Sequence, residues 1–349
     1  MSRLSFLSIV GLAAGLLAHE PNDSSAQNTL LSELQACTHQ IIYEAYVEDN
    51  WELLAMNADG SGKRNLTNTR NVHEMFPQAS FDGSKICCVA DAQENGDTIR
   101  SVWYMNADGT ERVKVAARAR QPFWAPDGSK IAFLAQEFKR FSVKSFATTK
   151  LLLYDLKTKA TTEHVNPKIH HLFGVGWSPN GRWIVSTVHG GMDFGHAIIA
   201  IESAGLMFHD LRIPGCRPNI SPAGTKLTWS SNDHTISVAD VDLSSSVPNV
   251  SNVRVLDQRE KLHLYHPDFS PDGKYITYSV GPGGRMQANG PGTHGEVAET
   301  VGVRGKWNLF VNRVDGKGPP IQLTHDENMS NKEPEWLRSS AFQTGAGAE

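Results

Sequence analysis

The chain reads as an all-β protein, a six-bladed β-propeller of four-stranded blades whose last blade is completed by the N-terminal strands. Three observations predict it: a Pro-Asp-Gly-like hairpin signature that occurs five times, a second strand–turn–strand unit that alternates with it six times, and half-repeats at the two ends of the 349-residue sequence. Composition agrees with a globular protein. Hydrophobic residues make up 40% and charged residues 20% of the chain, and the formal net charge of -4 leaves no basic excess for nucleic acid.

The first element reads as an export signal over residues 1–26. Arg3 supplies a positive start, Leu4 to Ala18 (LSFLSIVGLAAGLLA) is apolar and of signal-core length, and small residues follow in NDSSAQ. Cleavage is expected after Ala26, with Ala18 the alternative. The apolar run is too short to span a bilayer comfortably, and no later segment reads as transmembrane. A periplasmic or secreted protein without a membrane anchor after cleavage is the expectation. Residues 27–39 read as a lead-in, 40–338 as the propeller and 339–349 as a polar tail.

The inner hairpins come next. FPQASFDGSKI (76–86), QPFWAPDGSKI (121–131), GVGWSPNGRWI (174–184), RPNISPAGTKL (217–227) and HPDFSPDGKYI (266–276) each join an apolar or aromatic residue to a glycine turn and a β-rich run. Their turn glycines, 83, 128, 181, 224 and 273, succeed each other at intervals of 45, 53, 43 and 49 residues, the spacing of a four-stranded propeller repeat. The outer units follow each inner one, as in MNADGSGKRNLT (56–67) and its near copy MNADGTERVKV (105–115). KEPEWL (332–337) opens a sixth inner strand at the C-terminal end, and QIIYEAYV (40–47) is a strand with no inner partner before it. Pairing the two fragments removes the seam that an open sheet edge would leave.

The repeats MNADG, LT and (W/F)(S/A)PDG(S/K)(K/Y)I resemble the propeller repeats of the TolB family of the bacterial cell envelope, over about 40–337. That resemblance implies an exported, monomeric binding scaffold whose partner is an envelope protein or a glycan. Repeats of this type also occur in sugar-acid lyases and in the propeller domains of prolyl-oligopeptidase-like enzymes. TolB itself carries an α/β domain before its propeller that contacts an inner-membrane partner, and only about a dozen residues here separate the signal from the first strand.

Function is expected on the end of the ring away from the Asp-Gly turns, where the variable loops lie. Ten residues before each inner-turn glycine stand His73, Arg118, His171, Pro214 and His263, with Ser330 in the composite blade. Seven before stand Phe76, Gln121, Gly174, Arg217, His266 and Glu333. The candidate channel-mouth face is therefore His73, Arg118, His171, Arg217, His263, His266 and Glu333. Long loops add His189, Asp193, His196, Arg285 and His294, with Glu296 and Arg304 beside them. Imidazoles with a carboxylate are divalent-metal ligands, and His171, His263, His266 and Glu333 are the set that would converge. No cofactor is otherwise expected. A histidine base beside an arginine would suit an oligouronide lyase, the alternative reading; a structural ring without a mouth ligand is the other.

Several motifs are absent or mean less than they suggest. There is no G-x-S-x-G elbow and no hydrolase domain after the propeller. GPGGRMQANGPG lacks the Lys-Ser/Thr ending of a phosphate loop and reads as a lid or insertion. Trp124, Trp177 and Trp336 hold equivalent places and read as inter-blade packing. Cys87 and Cys88, adjacent on one strand, should point to opposite faces as small apolar groups. A disulfide through Cys37 is the alternative use of a cysteine.

Overall fold

A computed structural model describes residues 23–137, 147–282, 304–326 and 329–339. Six four-stranded antiparallel sheets form the ring. Blade 1 is composite: Ser330–Leu337 is its inner strand, followed outward by Gln40–Val47, Asn50–Asn57 and Arg64–Asn65. Blade 2 comprises Val72–Ala79, Lys85–Glu94, Asp97–Asn106 and Val113–Ala117; blade 3 comprises Ala119–Trp124, Lys130–Gln136, Thr148–Asp155 and Thr161–Glu163. Blade 4 is Leu172–Trp177, Trp183–Gly191, Phe194–Glu202 and Phe208–Asp210, and blade 5 is Cys216–Ile220, Lys226–Asn232, Thr235–Asp242 and Asn249–Gln258. Leu262–Phe269, Tyr275–Pro282, Asn308–Arg313 and Ile321–Gln322 make blade 6.

Alternation along each strand sends successive side chains to the two neighbouring blades. Cys87 accordingly packs with Trp124, Ile131 and Phe133 toward blade 3, while Cys88 packs with Ile42, Leu53 and Leu337 toward blade 1. All four cysteines are free, so the disulfide alternative for Cys37 is not realised. Six buried apolar clusters result, one for each junction between blades.

The duplicated MNADG segments fold alike because their short polar side chains satisfy the turn. In the first, Asp59 Oδ1 accepts the Ser61 amide at 3.0 Å and Gly60 N donates to Asn57 O at 2.9 Å. In the second, Asp108 Oδ1 accepts the Thr110 amide at 3.0 Å and Gly109 N donates to Asn106 O at 2.9 Å. The inner turn of blade 2 needs a glycine for a further reason. Gly83 has φ 73°, and a Cβ there would run into the Arg338 carbonyl.

Ring closure follows the register Gln40 opposite Leu337, Ile41 opposite Trp336 and Glu44 opposite Lys332. The last pair is an ion pair of 2.9 Å in which both side chains are wholly buried. Helix α1 (Asp23–Ala36), which the repeat pattern did not predict, runs from the last residues of the segment read as a signal into the lead-in. Leu30 and Leu34, one turn apart, pack between blades 6 and 1 against Tyr43, Tyr275, Leu309 and Trp336. Glu33 fixes the helix by accepting from Arg313 at 3.1 Å and from Tyr275 Oη at 3.2 Å. Among the described residues no helix is long and apolar enough to cross a membrane.

Candidate functional site

In each inner strand the pairing register slips by one residue. At that bulge one residue adopts a left-handed conformation: Phe76 (φ 53°), Gln121 (53°), Gly174 (57°), Arg217 (57°), His266 (55°) and Glu333 (49°). A bulge re-aims a side chain that would otherwise lie on a sheet face, and all six residues line a chamber on the ring axis. Five of them are not glycine, and a non-glycine residue held this way costs about 1–3 kcal/mol unless its surroundings compensate. At three of these five, and at Gly174, the surroundings capture the displaced amide. Phe76 N donates to Glu44 Oε2 at 3.1 Å, Gly174 N to Gln121 Oε1 at 2.9 Å, Arg217 N to Thr187 Oγ1 at 2.9 Å and Glu333 N to Ser279 Oγ at 3.1 Å.

Gly174 is the gap in this ring. A Cβ there would stand 3.0 Å from Arg217 Cα, so the missing side chain makes room for its neighbour. The Arg217 guanidinium lies 4.2 Å from the Tyr265 ring centroid, and Tyr265 in turn stacks on Trp307 and donates to Asp233 at 2.6 Å. His266 Nε2 meets Glu333 Oε1 at 2.7 Å with both residues buried deep in the wall. Burial first, then the charges of Arg217 and Lys332, hold the His266 imidazole well below its ordinary pKa. Its Nε2–H donates to the Glu333 carboxylate.

Two residues further along each strand lies a second layer: Gln78, Phe123, Gly176, Asn219, Asp268 and Glu335. Here polar side chains stitch blades 5, 6, 1 and 2 together in turn. Asp268 accepts from Asn219 Nδ2 and from the Trp336 amide, both at 2.7 Å. Glu335 accepts from the Ala79 amide at 3.0 Å and from Gln78 Nε2 at 3.2 Å. Burial pushes both carboxyls up, and the Asp268 charge pushes Glu335 further.

Of the channel-mouth candidates, Arg217, His266 and Glu333 line the axial chamber together. The residues three places earlier do not, because no bulge turns them from the sheet faces or the rim. His73 is half-buried and accepts the Trp51 amide at 3.2 Å; burial lowers its pKa. Arg118 is exposed on the rim. His171 pairs with Glu137 at 2.9 Å, and His263 is buried against His234 and Tyr265. The expected meeting of His171, His263, His266 and Glu333 reduces to the His266–Glu333 pair. Among the described residues no three His, Cys, Asp or Glu groups are arranged to hold a metal ion. His189, Asp193 and His196 lie on the exposed central hairpin of blade 4. Arg285, His294 and Glu296 fall outside the described residues, whereas Arg304 stands 4.6 Å over the Tyr46 ring. Phe76, Gln121, Gln78, Asn219 and the acid pair Asp268–Glu335 share the lining. The signal of the bulge residues in the sequence was the X-Pro dipeptide at five of the six bulges, starting at 76, 121, 217, 266 and 333.

Comparison with known proteins gives the fold. No family model matches, and no curated protein matches by sequence. Among solved structures, TolB from Acinetobacter baumannii superposes with a TM-score of 0.62 at 16% identity, covering 86% of this chain and 67% of that one. Hydrazine synthase of Kuenenia stuttgartiensis gives a TM-score of 0.59 at 12% identity over 88% of this chain and 48% of that one. A chain of a nidogen/laminin complex gives 0.56 at 8% identity, covering 86% and 98%. The TolB-like propeller is thus shared at low identity, which establishes architecture and not activity.

Proposed function

We propose that the protein is a cell-envelope binding scaffold that receives an extended protein segment or glycan at the mouth of its axial channel. The observation that carries this reading is the ring of five non-glycine left-handed residues, Phe76, Gln121, Arg217, His266 and Glu333. Strained backbone recurs at binding and catalytic sites, and here it turns a guanidinium, an imidazole, a carboxylate, an amide and an aromatic ring toward one axis. That mixture suits directional hydrogen bonding to a backbone or to sugar hydroxyls. The likeness to TolB, whose propeller this chain shares, supports an exported, periplasmic location and a protein partner. The test places a photo-crosslinking amino acid at Gln121, with exposed Thr162 as control, and exposes the folded protein to envelope extract. Adducts specific to position 121 that disappear in Arg217→Ala are expected. Equal labelling at both positions, or adducts indifferent to Arg217, would overturn the reading.

A further inference from the structure

The corner of blade 4 next to blade 5 gathers three histidines that the channel does not use. Trp183–Gly191 and Phe194–Glu202 form a hairpin in which His189 stands directly opposite His196. Their Nδ1 atoms are 3.0 Å apart, with ring centroids 5.3 Å apart. The other nitrogen of His196 is fixed, since Nε2 lies 2.8 Å from the Gly215 carbonyl, which can only accept. His196 Nε2 therefore carries a hydrogen, and its Nδ1 presents a lone pair to His189. His171 is tied to the same corner: its carbonyl accepts the His189 amide at 3.1 Å, and its Nδ1 donates to Gly190 O at 2.9 Å.

We propose that His189 and His196 form a two-imidazole site for a borderline divalent transition-metal ion, the class of zinc, nickel and copper. Metal–imidazole bonds of about 2.0–2.1 Å meeting at tetrahedral or square angles set two nitrogens roughly 2.9–3.4 Å apart, which brackets the separation observed. A hydrogen bond from the far nitrogen to a backbone carbonyl is the device that orients metal-binding histidines, and His196 already makes it. Imidazole donors select this ion class over calcium and magnesium, which take oxygen. The hydrogen between the two Nδ1 atoms belongs to His189; it leaves Nδ1 and returns through solvent to His189 Nε2, so that the ring stays neutral, and a small tilt of the exposed rings points both lone pairs at an ion beside the line between them. Water or an incoming ligand fills the remaining positions, because His171 is turned toward Glu137 at 2.9 Å.

The site is independent of any channel partner and is tested without one. Untagged protein is titrated calorimetrically with zinc, nickel and copper chlorides, and with calcium chloride as control. One ion per chain is expected, tightest for copper, weakened at least tenfold in His189→Ala and in His196→Ala, and unchanged in His234→Ala. Copper electron-spin-echo spectra of the unmodified protein should show two imidazole nitrogens, a readout that does not require the variants to fold. The proposal fails if millimolar metal gives no saturable binding, if binding survives both substitutions, or if one nitrogen or none is detected.

Discussion

Replacing Lys332 by methionine tests what holds the closing strand in place. Lys332 and Glu44 are both wholly buried, 2.9 Å apart, and join Ser330–Leu337 to Gln40–Val47; the ammonium also lies 5.0 Å from the Trp51 ring. Methionine retains the volume and the apolar packing but leaves the Glu44 carboxylate without its cation. Breaking such a pair from one side costs about 3–5 kcal/mol. With an unfolding entropy of about 2.1 cal/mol/K per residue, each kcal/mol is worth roughly 1.4 °C in a chain of this size, so the melting temperature should fall by roughly 4–7 °C. Adding Glu44→Gln should restore most of the loss, because the amide oxygen can still accept the Phe76 amide that Glu44 Oε2 accepts at 3.1 Å. The sign of the pH dependence is fixed as well. Burial raises the Glu44 carboxyl despite Lys332, and removing the lysine raises it further. The folded state then binds the proton more tightly than the unfolded chain, whose carboxyl titrates near about 4.3. Stability falls as pH rises above that value toward the folded pKa. The deficit of Lys332→Met should therefore be smaller at pH 5 than at pH 8 in thermal melts followed by circular dichroism. A melting temperature within about a degree of the unmodified protein, or a deficit larger at pH 5, would refute the reasoning.

Other outcomes follow from the same contacts. Leu34→Ala should destabilise by about 2–5 kcal/mol in chemical denaturation, since its side chain is 1% exposed between blades 6 and 1. A chain lacking residues 1–26 should melt below one lacking residues 1–18, because α1 begins at Asp23 and the longer deletion removes its first turn. Gly174→Ala should cost about 1–3 kcal/mol and displace Arg217, which a fall in capture at the channel mouth would report. Asp268→Asn should flatten the loss of stability on the alkaline side. Both Asp268 and Glu335 have raised carboxyls, so ionising them as pH rises opposes folding in the unmodified protein, and removing one relieves the other.

The blades were legible because a Pro-Asp-Gly-like turn requires a particular backbone and so marks its own position. The strand Gln40–Val47 and its pairing with the C-terminal segment were legible for a related reason, as each fragment lacked a partner locally. The lining of the channel was legible only in part. Counting back from a turn assumes uninterrupted alternation, and the bulges at Phe76, Gln121 and their equivalents break it, which separates Arg217, His266 and Glu333 from His73, Arg118, His171 and His263. Helix α1 escaped because its only apolar anchors, Leu30 and Leu34, are too few to announce an amphipathic face without the groove that receives them. The acid pair could not be foreseen either, since Asp268 and Glu335 lie far apart in the chain and meet only when the ring closes.

That closure also sets the order of events during synthesis. The segment Ser330–Leu337 is the last part of the propeller to leave the ribosome, yet it is the innermost strand of the sheet begun by Gln40–Val47. Until it arrives, the apolar stretch QIIYEAYV offers an unpaired border to any extended chain nearby. Contacts spanning nearly the whole sequence must form last and slowly. The nascent polypeptide therefore stays unlocked until translation is almost finished, the condition in which a protein can still be threaded across a membrane.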